Sequence, residues 1–346
     1  MIIREGLTFD DVLLVPKYST VTSRSAIDLS VKWAGIEFDH PVIPANMQTI
    51  TGFDMAVEVA KSGGLPVLHR FMPLEEQLNY AEDIIDMFGP QRLAVSIGVK
   101  DNDFTAAEKF LDVGVRMLCI DIAHGDSEQC TKMIKRLSEI DPKPLIIAGN
   151  VATGDGARRL WEAGASIIKV GIGPGSLCTT RIETGNGVPQ LTALMDVDRV
   201  RKERLALLRT RDEIPTKRYL PIIADGGIKN AGDIVKALCF ADMVMIGNVF
   251  AGCTETPGEI MSIEGRSYKR YVGSSTHKAN HVEGVAAIVP TKGSYKEILE
   301  KLLEGVASGC SYQGVHNLEK LRDNPEFIRI TGAGLRESHP HDVMIR

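Results

Sequence analysis

Cys178 is the residue of this chain best placed to do chemistry. It lies in Lys169-Val170-Gly171-Ile172-Gly173-Pro174-Gly175-Ser176-Leu177-Cys178-Thr179-Thr180-Arg181, a loop with three glycines that follows an apolar run at 166–170. Glycines let the backbone turn tightly and approach a ligand closely. A thiol held in a loop at the carboxyl end of a strand is placed for nucleophilic attack. The other cysteines, at 119, 130, 239, 253 and 310, form no CxxC pair with it or with each other. Neither a zinc site nor a disulfide framework is expected.

Such a loop needs strands to hold it. Apolar runs at 41–45, 65–69, 93–99, 117–121, 145–149, 167–171, 220–225 and 242–247 alternate with helix-like stretches at 53–61, 104–112, 127–140 and 156–162. Several helix-like stretches end in glycine (Gly63-Gly64, Gly114, Gly164), as a C-cap before the next strand requires. Eight nearly continuous apolar strands in a βα rhythm predict an α/β fold, a (β/α)8 barrel forming one domain over 1–346 with no inserted domain. The rival, a doubly wound nucleotide-binding sheet, lacks a GxGxxG after an early strand. Residues 7–30, an insertion at 178–219 and the tail beyond Lys292 are expected as additions to the barrel. Helix 295–306, with mixed charges on one face and Ile and Leu on the other, is expected to pack on it.

Barrel chemistry sits at the carboxyl ends of the strands. There the chain carries Asn46, His69, Asp121, His124, Asn150, Cys178, Thr180, Asp225-Gly226-Gly227 and Gly247-Asn248. Gly226, Gly227 and Gly247 follow the seventh and eighth strands, where barrels commonly bind phosphate through backbone N–H groups. Asp225 beside them suits ribose hydroxyls. A nucleoside phosphate is the expected ligand class. His69 and His124 read equally as ligand contacts or hydrogen-bonded core residues, and no HxH or HExxH spacing suggests a transition metal.

Composition narrows the classes. With 346 residues, net charge −5 and 44% hydrophobic residues, the chain offers neither an overall basic surface for nucleic acid nor an apolar run long enough to span a bilayer. Arg201, Lys202, Arg204, Arg209 and Arg211 are interrupted by Glu203 and Asp212, which reads as a solvated helix face. The N-terminal residues carry acids early and no signal-peptide core, so a cytoplasmic protein is expected.

The loop at 170–181, with Pro44–Thr49 (PANMQT), 121–127 (DIAHGDS), 148–153 (AGNVAT), 224–228 (ADGGI) and 245–251 (MIGNVFA), resembles the inosine monophosphate dehydrogenase and guanosine monophosphate reductase family from about Gly6 onward. The resemblance implies that Cys178 attacks C2 of a purine nucleoside monophosphate while hydride passes between C2 and a nicotinamide. It implies phosphate and ribose contacts at Ser176, Asp225, Gly226, Gly227, Gly247, Tyr271, Gly273, Ser274 and Ser275. Asp121 and Asn150 correspond to residues near the nicotinamide half of the cofactor. Within the family the reductase is expected, using NADPH to convert GMP to IMP and ammonia, with Thr180 and Glu283 relaying a proton to the leaving amine. The dehydrogenase, using NAD, is the alternative, and a catalytically silent nucleotide binder the third reading. Two features favour the reductase: no regulatory insertion follows the second strand, and a short flap at about 273–292 lacks the Arg-Tyr pair that activates water in dehydrogenases. The tail at 327–346 points the other way. By resemblance, its Glu337, Ser338 and His339 join Gly173, Gly175 and Cys178 of a neighbouring subunit's mobile loop (about 171–190) around potassium, which implies a homotetramer or larger oligomer.

Overall fold

Val42–Pro44 (β1), Val67–Leu68 (β2), Ala94–Ile97 (β3), Met117–Asp121 (β4), Leu145–Val151 (β5), Ile167–Val170 (β6), Ile222–Asp225 (β7) and Met243–Ile246 (β8) run parallel in one eight-stranded sheet. The computed structural model describes residues 3–33, 35–210, 220–273, 284–341 and 343. Nearly every strand residue is buried, because the sheet curls on itself inside a ring of helices. Hydrogen bonding is continuous from β2 round to β8, and Val244 pairs with Val42 to join β8 to β1. Between β1 and β2 there is no ladder, and Pro44 and Pro66 lack the N–H that one would need. Side chains bridge that region instead: Asn46 Nδ2 donates to Ser96 Oγ at 2.9 Å, and Gln77 Nε2 to the carbonyls of His69 and Ser96. The structure is thus the expected (β/α)8 barrel.

The outer ring comprises Phe53–Lys61 (α1), Leu74–Phe88 (α2), Asp101–Asp112 (α3), Glu128–Ser138 (α4), Gly154–Ala163 (α5), Gln190–Thr210 (α6), Ala231–Leu238 (α7) and Tyr295–Tyr312 (α8). Local chemistry starts and stops them. Ser127, Thr153, Asn230 and Ser294 each accept from a backbone N–H of the first turn, while Gly164 ends α5 in a left-handed conformation (φ 115°).

Three expectations need correction. The segment at 178–219 is not simply an insertion, since α6 is the barrel's own sixth helix, burying Leu191, Leu194, Val197 and Val200. Likewise α8, within the tail beyond Lys292, packs against α1 and α7 and closes the ring. Arg201 is not on a solvated face either. It is 4% exposed, paired with Asp198 and, at 2.8 Å, with Asp242 below β8. The sequence around it is dense in charge, and only the fold shows which of those charges turns inward.

A small antiparallel sheet, Met261–Ile263 (β9), Arg266–Val272 (β10) and Ala286–Pro290 (β11), follows β8. Near the N-terminus, Val12–Leu14 pairs antiparallel with Phe327–Arg329. No helix of the described residues is long and apolar enough to cross a membrane.

Candidate active site

One cavity opens at the carboxyl ends of the strands. Its floor is built from charges. Lys169 of β6 is 2% exposed, and its Nζ lies 2.9 Å from Asp121 Oδ1 and 2.7 Å from Asp225 Oδ2. Burial alone would lower the pKa of that ammonium, but the two carboxylates outweigh it and raise it above the usual lysine value. Burial pushes the Asp121 carboxyl up, and Lys169 overcomes this to hold it below the ordinary value. Asn150 completes the floor, donating from Nδ2 to Asp225 Oδ2 (2.9 Å) and to the Gly171 carbonyl (2.7 Å). Both its N–H groups are thereby directed, which leaves Oδ1 as an acceptor, buried and without a partner among the described residues. Such an acceptor fits a ligand N–H or O–H, including the amide of a nicotinamide.

The cysteine loop forms one wall. The Cys178 thiol donates to Thr180 Oγ1 at 3.2 Å, and Thr180 begins the short helix Thr180–Thr184. Arg181 clasps both limbs of this loop, donating to the carbonyls of Ile172 and, at 2.6 Å, Val188. Gly173 must be glycine: its φ is +84°, and a Cβ there would stand 2.5 Å from Arg181 Cγ. Burial pushes the thiols of Cys119, Cys130, Cys239, Cys253 and Cys310 up to about 12, which keeps them neutral. Cys178 is half-buried and faces the cavity.

The glycines expected to bind phosphate lie beside the cysteine loop, and a Cβ on Gly226 would stand 3.1 Å from Pro174 Cγ. Gly226 and Gly227 follow β7 with φ of 90° and 80°, and Gly247 follows β8. Tyr271 of β10 reaches in so closely that a Cβ on Gly247 would meet its Oη at 2.7 Å. Burial, with Asp225 nearby, pushes the Tyr271 phenol up to about 12, so it stays a hydrogen-bond donor.

The cavity thus brings together Asp121, Asn150, Gly173, Gly175, Ser176, Cys178, Thr180, Asp225, Gly226, Gly227, Gly247, Tyr271 and Gly273. Ser274, Ser275 and Glu283 lie outside the described residues. Glu337, Ser338 and His339 do not line the cavity; they are exposed at the end of the helix Gly332–Glu337, so one chain alone does not assemble the expected cation set. No cluster of His, Cys, Asp or Glu suited to a metal occurs among the described residues. His69 is buried and accepts from the Phe71 N–H, whereas His124 is exposed away from the cavity. The sequence alone assigned no role to Lys169 or Gln190. Gln190 Nε2 donates to the carbonyls of Val170 and Asp225 beneath the loop. The available signal for Lys169 was a lone charge inside an otherwise apolar strand.

Fold and site together define a (β/α)8-barrel protein with a cysteine loop above a charged strand-end floor. Residues 6–341 match the model of the IMP dehydrogenase / GMP reductase domain. Similar proteins include inosine-5'-monophosphate dehydrogenases of Nitrosopumilus maritimus (31% identity, covering 99% of each chain), Chlorobaculum parvum (31%, 99% of this chain and 97% of the relative) and Halalkalibacterium halodurans (32%, again 99% and 97%). The chain belongs to the IMP dehydrogenase / GMP reductase family, oxidoreductases of purine nucleotide metabolism.

Proposed function

We propose that this protein catalyses the NADPH-dependent reductive deamination of GMP to IMP and ammonia. The observation that carries the branch is the flap. The flap expected at about 273–292 includes no Arg-Tyr pair to activate water. The alignment with the Nitrosopumilus relative also runs to 486 columns against 346 residues here, so at least 140 columns have no counterpart in this chain. That supports a barrel without inserted regulatory domains.

In this reading the amides of Gly226, Gly227 and Gly247, with Ser176, Tyr271, Gly273, Ser274 and Ser275, hold the phosphate end of the nucleotide, and Asp225 accepts from the ribose hydroxyls. The Cys178 thiolate attacks C2 of the guanine. Thr180, within hydrogen-bond reach of the sulfur, passes a proton from Glu283 to the departing amine, a step typically worth about 10²–10⁴ in rate. Asp121 and the Asn150 Oδ1 acceptor hold the nicotinamide half of the cofactor. A reduced nicotinamide bound there supplies hydride to C2. The floor then keeps C2 and Cys178 apart from water until the thiolate is expelled and IMP leaves.

The dehydrogenase reading rests on two observations, the names of the similar proteins and the Glu337-Ser338-His339 tail. In either branch that tail would complete a potassium site on the Gly173, Gly175 and Cys178 carbonyls of a second copy, within a homotetramer. Reduced-nicotinamide absorbance, followed with GMP plus NADPH and with IMP plus NAD, tests the branch. We expect oxidation of NADPH by GMP and little or no xanthosine monophosphate from IMP. Sustained, potassium-stimulated xanthosine monophosphate formation would overturn the assignment.

A further inference from the structure

Lys269 of β10 is 4% exposed, and the carboxylates that act on it, Glu255 and Asp54, do so without a hydrogen bond to its ammonium among the described residues. Its Nζ lies instead among neutral oxygens: the Thr256 carbonyl at 2.7 Å, the Cys253 and Thr254 carbonyls at 3.0 Å, and Thr256 Oγ1 at 3.3 Å. A buried ammonium ordinarily requires negative potential, and here converging carbonyl dipoles supply it at contact distance while Glu255 and Asp54 add to it from farther off. Rings of backbone carbonyls are how proteins replace the hydration shell of a monovalent cation. We infer that the nest formed by Cys253, Thr254 and Thr256 is a monovalent-cation site that the native chain fills with its own tethered ammonium.

The nest has a use in the fold. Residues 253–256 continue the turn that leaves β8 at Gly247, where Phe250 and Ala251 N–H groups both donate to the Gly247 carbonyl. A second lysine, Lys292, donates to the carbonyls of Asn248 (2.6 Å) and Val249 (2.9 Å) in the same turn. Lysines on either side of the flap therefore fasten its base to the turn that leaves β8 at Gly247. Lys269 and Tyr271, two residues apart, share the inward face of β10, so the seated ammonium and the Tyr271 ring that reaches toward Gly247 are carried by one strand.

Lys269→Ala shortens the tether and leaves the carbonyls facing a space that a free cation can enter. Thermal unfolding without nucleotide should be measured for the wild type and this variant in potassium, ammonium or tetramethylammonium chloride at one ionic strength. The variant should unfold well below the wild type in tetramethylammonium, and potassium or ammonium should restore at least half of the lost Tm. The wild type reports any other cation site, such as one built from the C-terminal tail, and its response is subtracted. Lys269→Met retains a stem of similar length without the charge and should be destabilised with no recovery in any salt. If Lys269→Ala does not fold in tetramethylammonium, refolding yield in the three salts is read instead and should rise with the small cations. A cation response no greater than that of the wild type, or a Lys269→Met protein as stable as the wild type, overturns the inference.

Discussion

Buried charge gathers at both ends of this barrel, and the two clusters are built differently. Below the strands, Asp242 is ringed by Arg201 (2.8 Å), Arg322 (2.7 Å) and the Ile222 N–H (2.8 Å), with Asp198 beside Arg201. Both carboxylates there are almost wholly buried, and each is matched by an arginine. Above the strands, one lysine serves two carboxylates, Asp121 and Asp225, which remain partly open to the cavity, and Asn150 adds an unpartnered acceptor. The lower cluster is closed and balanced. In the upper one Arg70 acts on Asp121 beside Lys169, but the carboxylates stay partly exposed and the Asn150 acceptor open, so a ligand bearing hydrogen-bond donors would complete it. The difference teaches that buried charge marks a site where it is left incomplete and marks structure where it is fully met.

The largest expected effect lies just above the upper cluster. Cys178→Ala removes the nucleophile, so turnover with GMP should fall by more than about a hundredfold while nucleotide binding, measured by calorimetry, stays nearly intact. Residual turnover above a hundredth of wild type would be too much for a lost covalent step. Next is Lys169→Met, which leaves Asp121 and Asp225 close together without their cation. Turnover should fall by about 10²-fold through misplacement of both carboxylates, with a smaller loss of stability than an equivalent change below. A Lys169→Met enzyme of normal kcat and KM would break the comparison.

Below the strands the order of effects should reverse. Asp242→Asn leaves Arg201 and Arg322 without their shared carboxylate, and denaturant unfolding should show a loss of about 3–5 kcal/mol. Activity per folded molecule should change little, since none of these residues lines the cavity. The smallest effect concerns pH. Burial lowers the His40 pKa from 6.5 to about 4; its Nδ1 accepts from the Val42 N–H, and Nε2 hydrogen-bonds Ser62 Oγ. The unfolded chain therefore takes up this proton first, so the stability contribution is complete above pH 6.5 and declines as pH falls toward 4. The loss reaches about 3 kcal/mol at the acid end. Unfolding of His40→Gln at pH 7 and pH 4.5 should show a shallower dependence than wild type, and an unchanged slope would place the proton elsewhere.

Much of this contrast could be read from the chain, and the unread part has a common cause. Apolar runs located all eight strands, and strand ends then pointed to Asp121, Asn150, Cys178 and Asp225, because barrel topology turns linear position into a shared rim. Lys169 escaped notice because its partners lie 48 and 56 residues away, and no local pattern reports such a distance. Arg201 was misread for the same reason, since Asp242 lies 41 residues on. The sixth helix was hidden in a stretch where charged residues interrupt the apolar pattern, so its buried face became evident only against α5.

The central claim is that Cys178, held over the charged floor, bonds to the purine. Acid quench during turnover of GMP and NADPH, followed by peptide mass mapping, tests it most directly. The account predicts a purine nucleotide attached to the peptide containing Cys178, and its absence from the Cys178→Ala protein. Turnover at the wild-type rate with no adduct on that peptide, or an adduct on another cysteine, would contradict it.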